Sequence, residues 1–224
     1  MAANMKEIKE RIDSVKNTSQ ITNAMNIVSS TKFKKFQVLT LKSRNYARAV
    51  NEAFDNLVAS LTGNKFVIFD GKTEVKRVGI IVMTSDRGLC GSFNSNTFRR
   101  LESMKKEFQK EGKDVSVITI GRKAKEYCKN RDINVDSEYT QMIPETMFET
   151  GKKISEDVVQ FYLNDFYDEV YMIYSKFVSA VEYNIQVEKL LPIEKKEGLP
   201  TKEYVFDPSE EEVLNSFVPQ VLNI

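Results

Sequence analysis

Apolar residues at Ile8, Ile12, Val15, Ile21, Met25, Val28, Phe36 and Leu39 recur mostly at three- and four-residue steps. That spacing marks one face of an α-helix and comes close to a coiled-coil seam. Thr18 fills one gap in the series, and at Thr31 and Lys32 the stripe turns polar for one turn. The first 62 residues hold neither glycine nor proline. A helix of roughly 55 residues is about 80 Å long, whereas a compact domain of ~150 residues is roughly 40 Å across. The pattern therefore predicts a shaft that projects from its own domain. The stretch "NTSQITNAMNIVSSTK" is crowded with Asn, Ser and Thr, whose side chains compete for backbone hydrogen bonds. A break near Asn17–Asn23 is the alternative; the preserved apolar phase favours one helix held by packing.

The pattern changes after Gly63–Asn64, which ends the helix, and "FDGKTE" reads as a turn. "VGIIVM" (78–83) and "VSVITI" (115–120) are apolar strands, separated by the amphipathic "NTFRRLESMKKEFQKEG" closed by Gly112. Gly121 opens a short helix, "RKAKEYCKN". After "DINVDSE", "TGKKISEDVVQFYLND" reads as another helix, and "EVYMIYSKF" and "NIQVEKLLPI" as two further strands. Strand–helix alternation with apolar strands predicts a Rossmann-like α/β domain with a mostly parallel sheet. The last two strands lack a helix between them and can pair as an antiparallel hairpin. In "PSEEEVLNSFVPQVLNI", Ser209 and Glu212 form a capping box that starts a helix, and Pro219 interrupts the run.

Composition removes several chemistries. The chain of 224 residues has no His and no Trp, which excludes Ser-His-Asp and Cys-His catalysis and every zinc site that needs His. A formal net charge of +1 implies no general attraction to nucleic acid or anionic membrane. Cys90 and Cys128 are too distant for a metal-type pair and fit a reduced, cytosolic setting. The start, "MAANMKEIKE", carries charges where a signal peptide is apolar. No apolar run approaches the ~20 residues of a membrane span, and the sequence reads as a soluble chain. Charge along the helix is uneven. No acidic residue occurs between Asp13 and Glu52, while Lys16, Lys32, Lys34, Lys35, Lys42, Arg44 and Arg48 do. Two readings stand: a solvated face, or a basic shaft passing through an acidic sleeve. Nucleic acid is a poorly supported third reading, since aromatic stacking residues are sparse there and the total charge is balanced.

Between the first strand and its helix lies "MTSDRGLCGSFNSN" (83–96), where an α/β protein keeps a phosphate loop. Gly88 and Gly91 give only G-x-x-G, without the dinucleotide fingerprint and without the Lys-Ser/Thr pair of a Walker loop. Cys90 near a helix start resembles an activated thiol, with only Arg87 or a lysine to assist it. The remaining reading is a structural corner. Its glycines supply unusual backbone angles, Asn94, Ser95 and Asn96 cap the following helix, and Asp86 and Arg87 lock the turn or face a partner. No cofactor or metal is expected.

"MTSDRGLCGSFNSN" resembles the S-D-R-G-L-C-G-G-F-N signature of F-type ATP synthase gamma subunits. "MKEIKERIDSVKNTSQITNAMNIVSSTKFKK" is similar to the family's N-terminal helix, and "VYMIYSKFVSAVEYNIQVEKLLPI" and "FDPSEEEVL" match in type and order. Ser92 stands where the family has a second glycine, which implies less local backbone freedom. The resemblance implies residues 1–62 as shaft helix, 63–74 as turn or linker, 75–195 as α/β domain, and 196–224 as a tail leading into a second long helix. That helix, which pairs antiparallel with the first along a seam including Ile8, Ile12, Val15, Ile21, Met25 and Val28, is not in this sequence. Either a fragment of a longer subunit or a C-terminally truncated one is therefore expected. The resemblance further implies a non-catalytic rotor subunit that transmits torque from the membrane c-ring to the alpha–beta hexamer. Its partners would be alpha, beta and epsilon subunits and the c-ring, with no membrane span of its own, at the cytoplasmic face of a bacterial membrane. Lys32, Lys34, Lys35, Asp86, Arg87, Gly88, Cys90 and Gly91 would be partner contacts. A helical adaptor that dimerises through residues 8–39, and a small α/β enzyme with a helical arm, are the competing readings.

Overall fold

A computed structural model describes residues 2–61, 66–195 and 204–223. Packing divides the chain into two units, residues 1–50 and 51–224. Helix α1 runs from Ala2 to Ser60; its residues up to Val50 make up the first unit, and residues 51–60 are counted in the second. At 1.5 Å per residue its 59 residues make a rod of about 88 Å. No break occurs at Asn17–Asn23. The hydroxyls of Thr18, Thr22 and Thr31 donate to the carbonyls of Ser14, Thr18 and Ile27, four residues back, at 2.9, 2.8 and 2.9 Å. Side chains that compete with the ladder elsewhere are here satisfied inside it. The expected helix end at Gly63–Asn64 lies outside the described residues.

The second unit is a five-stranded sheet in the order β3-β2-β1-β4-β5. Strands β1 (Arg77–Met83), β2 (Asp114–Ile120), β3 (Val135–Tyr139) and β4 (Glu169–Ser179) pair in parallel, and β5 (Glu182–Leu191) returns antiparallel along β4. The closing hairpin is thus as the missing connecting helix implied. Helices α3 (Phe93–Lys110) and α4 (Arg122–Lys129) cover one face. There Val78, Ile80 and Val82 of β1 meet Leu101, Met104 and Ala124. The other face carries α5 (Met147–Leu163), α6 (Glu210–Leu222), the one-turn α2 (Val67–Asp70) and the last turns of α1. The Phe54 ring lies 6.1 Å from Phe69 and 6.0 Å from Phe217, so residues 51–60 of the long helix belong to this core.

Three local expectations change. "DINVDSE" supplies the edge strand β3; its five residues alternate between half-buried and exposed positions, a period-two signal diluted by Asp136 and Glu138. Helix α3 begins at Phe93, ahead of Asn94, so Asn94, Ser95 and Asn96 lie within it and Ser92 takes the N-cap position. Pro219 does not end α6, which continues to Leu222. A proline inside a helix costs ~3 kcal/mol, and here Leu214 and Val218 are fully buried beside it with Phe217, Val221 and Leu222 packed on the same cluster. The Ser209 cap holds, with Glu212 N–H donating to Ser209 Oγ at 3.3 Å.

At the N-terminal edge of the sheet, buried Asp168 ties three segments together. Its Oδ2 accepts the backbone N–H groups of Lys76 and Arg77 at 2.9 and 2.8 Å. Its Oδ1 faces Lys72 Nζ at 3.4 Å and Arg77 Nη2 at 3.5 Å. Burial pushes this carboxyl upward, but the two amides and Lys72 outweigh it and hold it below the usual carboxylate range.

Candidate functional site

The strand-to-helix corner is built from the end of β1 outward. Thr84 N–H donates to the Ile120 carbonyl at 2.8 Å, and Thr84 Oγ1 accepts from Ala124 N–H at 2.9 Å. Asp86 then ties two neighbouring loops to this one. Its Oδ1 accepts Arg122 N–H at 2.8 Å and Gln141 N–H at 3.3 Å, while Arg122 Nε donates back to the Asp86 carbonyl at 3.1 Å. Of the two readings of Asp86, these bonds match the turn lock. Across the corner, Ser85 N–H donates to Asn94 Oδ1 at 3.1 Å, and Asn94 Nδ2 donates to Ser85 Oγ at 2.8 Å and to Cys90 Sγ at 3.3 Å. Asn94 is therefore a brace from inside the helix rather than a cap. The β4–β5 hairpin adds a second brace: the Tyr183 hydroxyl lies 3.1 Å from Ser92 Oγ and accepts from Asn96 Nδ2 at 3.0 Å, with its ring 5.2 Å from Phe93.

Backbone conformation explains the glycines unequally. Gly91 is left-handed at φ 58°, as is Leu89 at φ 61°, whereas Gly88 is not. Leu89 is 94% exposed, so the braced corner holds a large apolar side chain in solvent. Ser92 sits at φ −85° and ψ 3°, angles open to any residue, so the departure from the family's glycine costs nothing in backbone strain. Gly121 is the demanding position: at φ 99°, a Cβ there would lie 2.3 Å from the Thr84 carbonyl oxygen.

The corner offers little chemistry. Its amides at Thr84, Ser85 and Phe93 are spent on internal acceptors, so they cannot converge on a phosphate. Cys90 is exposed, and its sulfur meets an amide, a hydroxyl and a carbonyl, none of which is a base that would activate it. Cys128 is buried, and burial pushes its thiol up to about 11. Among the described residues no group of three or more metal-ligating side chains comes together.

Helix α1 carries the remaining candidates. All of residues 4–46 are exposed, including Ile8, Ile12, Val15, Ile21, Met25 and Val28, the last at 53%. At about 100° per residue, Lys32 falls in the sector of Val28 and Leu39. Lys34 lies ~160° around the helix from it, with Lys35 between them. The three lysines thus fan around the rod and do not share a face. Among the described residues no helix is long and apolar enough to cross a membrane.

With its braced corner and a 59-residue helix whose apolar stripe is exposed, the chain is similar over nearly its whole length to known proteins. The family model described as ATP synthase matches residues 4–224. The ATP synthase gamma chain of Fusobacterium nucleatum is 42% identical over 220 residues, which cover 98% of this chain and 77% of that one. The chain belongs to the ATP synthase gamma family. The gamma chain of Trichlorobacter lovleyi is 35% identical over 226 residues, covering 99% of this chain and 78% of that relative. In fold, the chain is similar to one in the cryo-EM structure of the central stalk and c-ring of Tetrahymena thermophila mitochondrial ATP synthase. The TM-score is 0.65 at 22% identity, over 91% of this chain and 88% of that chain.

Within this gamma-family architecture, Tyr183, Arg122 and Leu89 went unread from sequence. The first two act across 91 and 36 residues of chain, a separation that no local pattern reports. Leu89 had a signal, an apolar residue between two glycines at a turn.

Proposed function

We propose that this chain is the non-catalytic central-stalk subunit of a rotary ATP synthase, passing torque between a membrane c-ring and the alpha–beta hexamer where the nucleotide chemistry occurs. The observation that carries this reading is the uninterrupted α1 with its apolar stripe in solvent over residues 4–46. Its stripe supplies the seam for a second helix, and two helices locked along a seam resist bending and twisting better than one. The alpha, beta and epsilon subunits and the c-ring are the partners, and the chain works as a peripheral subunit at the cytoplasmic face of a bacterial membrane. Arg87, Gly88, Cys90 and Gly91 form an exposed shoulder that meets a partner subunit, with Asp86 holding it in place. Lys32, Lys34 and Lys35 form contacts that guide and then release, since ion pairs at a wet surface are each worth ~0–1 kcal/mol.

Assembly with alpha and beta subunits and a bead attached through a Val181→Cys substitution, at an exposed hairpin position, in a Cys90→Ser background tests this directly. The expected result is ATP-driven rotation of the bead, with no hydrolysis by the chain alone. ATP hydrolysis by the isolated chain, or an active complex in which the bead stands still, would refute the rotor role.

A further inference from the structure

Gly151 lies in the second turn of α5, and its backbone is ordinary helix. Glycine inside a helix is less stable than alanine because it loses more backbone entropy on folding, so its place here needs a reason. The reason is the far end of α6. Asn223, the C-cap of α6, lays its carboxamide across this position: a Cβ on residue 151 would overlap Asn223 Oδ1 and lie 3.3 Å from its Cγ. From the same seat Asn223 Nδ2 donates to the Phe148 carbonyl at 3.3 Å.

This seat supplies what the apolar contact lacks. On their inner sides the two helices meet through Ile154, Val158, Leu214 and Val218, all buried in one cluster. Apolar contact is non-directional, so it holds the helices together without fixing their register. On their outer sides they part around an open cleft of about 400 Å³, lined by Lys152, Glu156, Gln160, Ser216 and Gln220, which leaves room for α6 to slide or roll. The 13 residues of α6 make a rod of about 20 Å, and a directional bond at its last turn has the most leverage against such a movement. We propose that Gly151 and Asn223 form a register lock between α5 and α6, through which the sheet domain holds α6 against sliding and twist. This rests on the central-stalk reading, in which torque passes from the sheet domain into the shaft, and assigns the stiffness of that joint to two residues.

A double-mutant cycle on the full chain tests the lock. A methyl group at position 151 displaces the Asn223 carboxamide, so in the native background Gly151→Ala trades a helix gain against the lost seat and leaves Tm unchanged or lower. In the Asn223→Ala background the obstruction is gone, and Gly151→Ala should raise Tm by ~2 °C, the ordinary advantage of alanine over glycine in a helix. Amides in the last turn of α6 should exchange at least tenfold faster in Gly151→Ala and in Asn223→Ala, and at the native rate in Asn215→Ala on the exposed side of the same helix. In the complex with alpha and beta subunits, a bead on the Val181→Cys chain reports the joint as the angular spread of its pauses. That spread should at least double in both seat variants and stay native in Asn215→Ala. Asn223→Ala alone carries the bead measurement if circular dichroism shows that Gly151→Ala loses helix. An equal Gly151→Ala gain in both backgrounds, or last-turn exchange that ignores both substitutions, overturns the lock and leaves the rotor reading standing. Pauses as narrow as the native ones in the seat variants overturn the joint. A native complex whose bead stands still overturns the rotor reading and the joint with it, while the cycle still decides the lock.

Discussion

Replacing Asp168 with Asn keeps the shape of the side chain and removes its charge and one of its two strong acceptors. In the native fold this carboxylate is 3% exposed. It takes two backbone N–H groups from Lys76 and Arg77 and faces the Lys72 and Arg77 cations. Hydrogen bonds to a charged group contribute ~1.5–3 kcal/mol each, and removing one partner of a buried pair costs about 3–5 kcal/mol. The expected loss for Asp168→Asn is therefore about 3–5 kcal/mol at pH 7, a drop in Tm of ~6–20 °C for a chain of this size. Asp165→Asn is the internal comparison. Asp165 pairs with the same Lys72 Nζ at 2.7 Å, but its side chain is 74% exposed, so its loss should stay below about 1 kcal/mol. Urea unfolding followed by near-UV circular dichroism is the assay, because every tyrosine but Tyr46 lies in residues 51–224. The pH dependence gives a second check. The folded carboxyl titrates below its ordinary value, so its contribution is present above the unfolded value near about 3.9. It is lost as pH falls through the folded value. The gap between native and Asp168→Asn should hold at neutral pH and close in acid. An Asp168→Asn variant within 1 kcal/mol of native, or a gap that does not shrink in acid, would refute the assignment of this carboxylate as the tie between β1 and the α5–β4 turn.

Two further outcomes follow from the corner and the core. Gly121→Ala puts a methyl group 2.3 Å from the Thr84 carbonyl at φ 99° and should cost about 3 kcal/mol from strain and overlap together. Gly112→Ala, at φ 76° with nothing within 4 Å, should cost only ~1–2 kcal/mol, and equal melting temperatures for the two would contradict the overlap. With a disulfide reagent at pH 8, Cys90 should react at once and Cys128 only on unfolding, because burial both shields the latter and raises its thiol to about 11. Rapid labelling of both would show that the α3–α4 face is open.

Much of this protein is legible along the chain because its signals are local and repeated. The seam from Ile8 to Leu39 declares a helix without reference to anything distant. The strands at 78–83 and 115–120 announce themselves by unbroken apolar runs, as strands buried on both faces do. The Asn94 brace, the strand at Val135–Tyr139 and the passage of α6 through Pro219 were less accessible. Each depends on partners far along the chain: Ser85 for Asn94, β2 for β3, and the buried cluster around Leu214 and Val218 for Pro219.

The family-marking loop shows the same division. Its residue types carried the family resemblance and made a phosphate cradle a weak reading, since G-x-x-G alone lacks both the dinucleotide fingerprint and the Lys-Ser/Thr pair of a Walker loop. Sequence alone also determined that the rod is basic and carries an apolar seam, because periodicity and charge are properties of the chain itself. Only the tertiary structure decided that Asp86 spends its carboxylate on Arg122 and Gln141 while Leu89 stands in solvent. Which of two neighbouring side chains turns inward depends on where the unsatisfied amides of other segments lie, and three-dimensional packing alone brings those amides within reach.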